Sequence, residues 1–144
     1  MNKTAIWGLA VMLAAAVGAA PAAVYPSQTS NEAGIQAISW DAWLAAKAKA
    51  EKYDAEGNLV GALQYYLEYI RQARGLSNPV RAAWGMNNAA YMIIKMHRTD
   101  PTVDLEPARK LLEDGLAIPE ASEDCRKIMA MNLEHVRSRL ERAR

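Results

Sequence analysis

The chain has 144 residues, and its 17 lysines and arginines nearly balance its 16 aspartates and glutamates, which gives a formal net charge of +1. This length indicates one modest domain, and the balanced charge argues against nucleic-acid binding, for which a basic surplus on one face is typical. Cys125 is the single cysteine, so an internal disulfide is excluded and the fold must be held by its hydrophobic core. We expect its thiol to pack in that core, with pairing to another chain or a reactive thiol as the alternatives.

Residues 1–22 have the features of a signal peptide. Lys3 supplies a positive start, residues 5–20 form an almost unbroken run of small apolar side chains, and residues 20–22 offer an A-x-A cleavage site. The alternative, a membrane anchor, needs roughly 20 apolar residues, and this run is shorter and rich in alanine and glycine. We therefore expect a periplasmic or secreted protein, typical of bacteria, with no stable membrane insertion after cleavage.

Residues 23–38 mix small and polar side chains without a clear period, which predicts a linker or flexible arm. From Ser39 onward no run alternates apolar and polar residues as a half-buried strand does, so residues 39–144 are predicted to form an all-helical domain. Ser39 is expected to cap the first helix, which runs to about Tyr53.

The second helix is predicted over residues 59–74, where apolar side chains fall on one stripe at helical spacing. Gly75 follows it, at the place where a left-handed C-terminal cap belongs. Asn78 and Pro79 are typical of the N-cap and first residue of a third helix, which is expected over residues 79–97.

Residues 98–103 contain Thr-Asp-Pro and are predicted to form a loop. Asp104 is expected to cap a fourth helix that tolerates Pro107 in its first turn and is over by Pro119. Ser122 is expected to cap a fifth helix, whose acidic first turn and arginine-rich last turn both suit the helix dipole.

Residues 46–70 resemble a tetratricopeptide repeat (TPR). Tyr53 stands at the large aromatic position late in the first helix, and residues 57–58 form the tight turn. Ala62 is the small residue that begins the second helix, and Tyr66 is the aromatic four residues on. Two antiparallel helices approach closely only where small residues occupy the crossing, and the aromatics fill the space to the next pair.

The next helix pair resembles the motif more loosely. Its aromatic, aromatic, small, large and proline positions are filled, in order, by Trp84, Tyr91, Ala108, Leu112 and Pro119. Lys95 replaces the turn glycine, Asn87 and Asn88 replace the usual Leu-Gly, and the loop exceeds a repeat of about 34 residues by about eight. The resemblance implies an all-α, right-handed solenoid of antiparallel hairpins with about five helices, the fifth beginning a third unit or acting as a cap.

TPR-like proteins bind peptides or helices in a concave groove lined by the first helix of each pair, so the resemblance implies a protein or peptide partner. Matched by position, the lining residues would give an acidic-leaning end, a small apolar middle and a basic end: Lys47, Glu51, Asp54, Gly85, Ala89, Met92, Met131, His135 and Arg139. An ordinary solvated face is the alternative. Lys47 matches one element of a clamp that some family members use for a C-terminal carboxylate. Because Glu51 and Met86 replace the asparagines expected there, we do not expect that specificity.

The sequence contains no motif that carries chemistry. His97 and His135 lie on different predicted helices without ligand-spaced partners, and no metal, haem, phosphate-loop or nucleophile-elbow pattern occurs. Acidic neighbours at 113–114 and 123–124 diverge by about 100° on a helix and do not form a catalytic dyad. We therefore predict a protein-interaction module, an adaptor or scaffold, with no enzymatic activity, cofactor or metal.

Two other classes of function stay open. A self-associating structural subunit is one, since a short repeat array exposes an apolar end that its last helix must cover. The dimer interface would then be the apolar stripe of the fifth helix, formed by Ile128, Met129, Val136 and Leu140. An inhibitor or immunity protein that neutralises an exported enzyme is the other, although no residue argues for it.

Overall fold

The computed structural model describes residues 36–143, in which five α-helices and no strand occur. In chain order these are α1 (Trp40–Ala55), α2 (Leu59–Gly75), α3 (Pro79–Thr99), α4 (Glu106–Leu116) and α5 (Glu123–Arg142). The predicted all-α class and number of helices are confirmed. None of these helices, within the described part of the chain, is long and apolar enough to cross a membrane. The predicted signal peptide and residues 23–35 of the predicted arm lie outside the described residues.

The turn between α1 and α2 is a closed helix cap followed at once by a new helix. Gly57 has a φ of +74°, the left-handed conformation that glycine adopts without steric cost. The N–H of Asn58 donates to the Tyr53 carbonyl at 2.9 Å and that of Gly57 donates to the Asp54 carbonyl at 3.0 Å, which is the Schellman arrangement. The side chain of Asn58 then accepts from the Gly61 N–H and starts α2. The tight turn predicted at residues 57–58 is confirmed.

The turn between α2 and α3 repeats this design with a different residue in the left-handed position. Ser77 has a φ of 52°, the N–H of Asn78 donates to the Ala73 carbonyl at 2.9 Å, and the Asn78 side chain caps α3. The left-handed cap predicted at Gly75 is therefore wrong. Gly75 ends α2, and its missing side chain leaves space for Ile38, since a Cβ would stand 2.6 Å from Ile38 Cδ1.

The other helix starts follow the expected capping chemistry. The hydroxyls of Ser39 and Ser122 each accept from the backbone N–H three residues on, so both predicted caps are confirmed. Asp104 accepts from the Glu106 N–H at 2.9 Å, although the N-cap of α4 is the following residue, Leu105. The N-cap predicted at Asp104 is therefore wrong by one residue, although its carboxylate still binds the first N–H of the helix.

The helices pack in chain order, each against the next, and α5 also packs against α3. Glycines mark the closest approaches: a Cβ at Gly85 of α3 would stand 2.5 Å from Tyr69 of α2, and one at Gly115 of α4 would stand 2.6 Å from Met129 of α5. Cys125 is fully buried, as expected. As a consequence α3 is covered by α2, α4 and α5, and ten of its 21 residues are buried.

A buried amide fixes the start of α1 to α2. Gln72 is fully buried; its Oε1 accepts from the Ser39 N–H at 3.0 Å, and its Nε2 donates to the Ala37 carbonyl at 3.2 Å and to Glu68 Oε1 at 3.0 Å. These bonds satisfy backbone groups that would otherwise be unpaired just before a helix. The last residues of the predicted arm are therefore held on the domain.

Replacing Gln72 by leucine should lower the free energy of unfolding by about 2 kcal/mol, because the Ser39 N–H and the Ala37 carbonyl lose their partner while an apolar side chain keeps the volume. Urea denaturation measures the loss, and amide hydrogen exchange should show faster exchange in the first turn of α1. Gln64→Leu is the matched control, since Gln64 lies two turns earlier on α2 and makes no hydrogen bond among the described residues. Equal losses of unfolding free energy in the two variants would rule out the buried amide as the cause.

Candidate partner-binding face

The helices α1 and α3 lie side by side and parallel, bridged at both ends. At the start of α1 the Arg81 guanidinium stands 5.7 Å from the Trp40 ring centre. At its end Lys95 Nζ lies 2.6 Å from Asp54 Oδ1, a contact that spans 41 residues, and Trp40 and Arg81 have the same separation in sequence. Because helices rise uniformly, the two helices keep one register between these contacts. The helix α2 packs against both and lies beneath them.

One stripe of α1 faces this surface at helical spacing, formed by Trp40, Leu44, Lys47, Glu51 and Asp54. The two carboxylates predicted to make this end acidic are neutralised: Glu51 pairs with Lys47 at 2.6 Å, and Asp54 pairs with Lys95. Beneath them on α2, burial and then the negative charges of Glu51 and Asp54 raise the pKa of Tyr66 to about 12. The face has no surplus of negative charge here.

The stripe of α3 that reaches the surface differs from the predicted one. Gly85, Ala89 and Met92 are all buried, and Gly85 abuts α2. These residues belong to the core and do not form the middle of an accessible groove. The accessible stripe lies one residue earlier, a rotation of about 100°, and its members are half-buried or exposed: Trp84, Asn88, Tyr91, Lys95 and Arg98.

Amide side chains join α5 to α3 along this surface. Asn132 Nδ2 donates to Asn87 Oδ1 at 3.0 Å, and Asn87 Nδ2 donates to Asn88 Oδ1 at 3.4 Å. Asn87 is one of the few buried polar residues of the described chain, so this chain of amides fixes how α5 lies on α3. We call the surface formed by the two stripes and by Met131, His135 and Arg139 of α5 the binding face.

Positive charge concentrates where α3 and α5 end. Burial lowers the pKa of His135, and the cationic groups of Arg139, Arg98, His97 and Arg142 lower it further, in that order. These groups come from two helices, so the fold and not the local sequence brings them together. The end predicted to be basic carries positive charge in the structure.

The cations on the binding face differ in whether they have a partner. Lys47 and Lys95 are paired with carboxylates. Arg98 stands 5.8 Å from the Tyr91 ring centre, and neither Arg98 nor Arg139 forms an ion pair with any residue that the structure describes. Guanidinium groups that lack a carboxylate leave hydrogen-bond donors free for an acidic ligand.

The apolar stripe of α5 predicted as a dimer interface is largely internal. Met129 and Val136 are fully buried within one chain, and Leu140 packs partly against the core. Ile128 is the only exposed residue of the four predicted at the interface. Met131, one turn further along α5, has 74% of its area exposed. The stripe therefore covers α3 and α4 and does not offer a continuous apolar surface.

Comparison of the chain with protein-family models, with curated proteins and with solved structures finds no match. The resemblance to TPR proteins accordingly rests on the residues named for it above. No group of three or more histidine, cysteine or acidic side chains is placed to hold a metal ion within residues 36–143.

Sequence reasoning missed the α3 stripe although part of its signal was visible. Asn88, Lys95 and Arg98 are polar residues in phase at helical spacing, and the first two are departures from the repeat motif. A polar residue at a position that the motif reserves for packing indicates a surface that the motif does not describe. Trp84 and Tyr91 were expected in the core by the motif, and both are only half-buried.

The depressed pKa of His135 predicts a pH dependence of stability. Because the folded-state pKa lies below the value of 6.5 for an unperturbed histidine, the unfolded chain binds the proton more readily, so stability falls as the pH drops below about 6.5. His135→Gln should therefore show a smaller loss of unfolding free energy between pH 7.5 and pH 5.5 than the parent, measured by urea denaturation. Histidine NMR titration gives the pKa directly, and a value above 6.5 would contradict the assigned surroundings.

Proposed function

We propose that this protein is an exported protein-interaction module, an adaptor or scaffold that holds an acidic extended or helical segment of a partner protein on the binding face. The observation that carries the proposal is that this face combines accessible aromatic side chains with arginines that lack a carboxylate. Tyr91 and Arg98 supply both features within one contact. Arginine and aromatic side chains dominate the binding energy of known interfaces.

The packing supports a TPR-like arrangement. Successive helices form antiparallel hairpins, the first two turns share one design, and α5 returns to α3, as expected for stacked repeats in which each unit contacts its neighbours. In such a solenoid α1, α3 and α5 line the concave side, and the contacts of α1 and α5 with α3 support this position for the binding face. The longer loop at residues 100–105 departs from the regular repeat.

The positive charge of the binding face favours an acidic partner segment. The carboxylates of this face are already paired, and Arg98 and Arg139 are not, so the face carries a local positive surplus in a chain whose formal charge is only +1. A positive patch accelerates encounter with an acidic segment and disfavours basic ones. A short groove of this kind favours modest affinity, of about micromolar order. The features of residues 1–22 indicate that the partner is met in the periplasm or outside the cell.

Self-association is the second candidate. It is favoured by Ile128 and Met131, the large apolar side chains that α5 exposes. Two side chains make a smaller interface than a stable dimer needs, because specific interfaces bury roughly 800 Å² on each partner. An inhibitor or immunity role uses the same face and differs only in the partner, so identification of the partner separates it from an adaptor.

Charge reversal tests the proposal. The double variant Arg98→Glu with Arg139→Glu should lose a bound acidic partner by more than about tenfold in affinity, because both arginines change from attraction to repulsion. Wild-type chain immobilised and exposed to envelope extract identifies the partner by mass spectrometry, and calorimetry at two salt concentrations measures its affinity, which should fall with added salt.

The matched control is Lys52→Glu with Lys127→Glu, which changes the charge equally at exposed positions off the binding face. Their surface ion pairs contribute little to stability. Equal retention of the partner by the parent, the control and the test variant would overturn the proposal. Light scattering across a hundredfold concentration range identifies self-association, and a dimer abolished by Met131→Lys would favour the second candidate.

A further inference from the structure

We propose that the binding face begins with a subsite for an internal acidic residue of the partner, in which Arg81, stacked on Trp40 and Trp43, binds an aspartate or glutamate side chain whose neighbours in sequence are apolar. This inference rests on the proposed function and specifies the element of the partner that this end of the face recognises. The subsite consists of Trp40, Trp43, Leu44, Val80 and Arg81.

The guanidinium of Arg81 stacks on two aromatic rings and interacts with the Tyr69 hydroxyl, but no carboxylate among the described residues neutralises its charge. Its Cζ stands 4.2 Å from the Trp43 ring centre and 5.7 Å from that of Trp40, distances at which the aromatic rings attract a cation. Arg81 forms no ion pair with a residue of the described chain. Stacking engages the face of the planar group and the Tyr69 hydroxyl takes up part of its edge, so the remaining N–H donors can bind a carboxylate.

A second donor at the same place, the Trp43 indole N–H, also faces the Tyr69 hydroxyl. Trp43 is only 3% exposed, and its Nε1 is buried. The guanidinium is the accessible donor of the two, and an anionic oxygen is the acceptor that suits it.

Apolar surface surrounds these two donors. Trp40 is 49% exposed and stands edge-on against Trp43 at 5.8 Å, Leu44 one turn later is 53% exposed, and Val80 beside Arg81 is 38% exposed. Apolar neighbours exclude water from a charge pair and so strengthen it. Because Val80 precedes Arg81 on α3 and Leu44 lies further along α1, apolar contacts extend in both directions from the guanidinium. A chain that continues past the carboxylate on both sides fits this arrangement, and a chain terminus does not.

The probe is an N-acetylated, C-amidated pentapeptide, Gly-Leu-Glu-Leu-Gly, titrated into the full chain and followed by NMR. We expect a saturable shift of the indole N–H signal of Trp40, whose ring is exposed beside Arg81, and binding at least about tenfold weaker in Arg81→Gln. The peptide with Gln in place of Glu should lose the same factor, with no further loss when combined with Arg81→Gln, because the two changes remove one interaction. Lys52→Gln, which removes one charge at the exposed far end of α1, should bind as the parent does.

Arg81→Lys, which keeps the charge but not the planar fork, should bind between the parent and Arg81→Gln, and a dispersed amide spectrum shows that each variant is folded. Equal binding of the Glu and Gln peptides, no binding at all, or tighter binding of a Gly-Leu-Gln-Leu-Gly peptide with a free terminal carboxylate would overturn the subsite. If Arg81→Gln has no effect while the reversal at Arg98 and Arg139 still releases the natural partner, the subsite is wrong and the proposed function stands. If that reversal also leaves the partner bound, the proposed function falls with it.

Discussion

The packing of α3 against three other helices is the constraint on which the rest of the structure depends. A helix covered by α2, α4 and α5 must be lined with small residues where its neighbours approach, which is why Gly85, Ala89 and Ala90 are buried. What remains is one accessible stripe, and polar and aromatic side chains occupy it. The binding face thus includes the stripe of α3 that no other helix covers, so its position is set by where the other helices do not pack. A change in the way α5 lies on α3 would move the face as well as weaken the fold.

Local chemistry made the ends of the helices predictable. Ser39, Asn78 and Ser122 bond to backbone groups three residues away, so the information needed lies within one turn of sequence. The left-handed cap predicted at Gly75 is wrong because glycine suits both a left-handed backbone and a close contact. Its sequence neighbours do not show which of the two applies. The contact that explains Gly75 is made with Ile38, far away in the chain.

The candidate face was predictable on α1 and not on α3. Lys47, Glu51 and Asp54 lie at the surface as expected, because the main packing partner of α1 is α2 and the opposite side of α1 stays open to solvent. On α3 the period gives the spacing of a stripe but not its direction, and small residues suit both a tight helix crossing and a shallow groove. The pairing of Asp54 with Lys95 depends on a register across 41 residues, which no local pattern encodes. Motif matching by position therefore chose a stripe one residue away from the accessible one.

The single cysteine makes opening of the folded domain measurable by thiol alkylation. Cys125 lies in the first turn of α5, has no exposed surface, and burial raises the pKa of its thiol, so it stays unreactive while α5 is docked. With no second thiol in the sequence, every alkylation event in a native sample reports one opening of the α4–α5 region. The rate of labelling without denaturant then reports opening of the last hairpin, and any ligand that binds only the docked form lowers that rate.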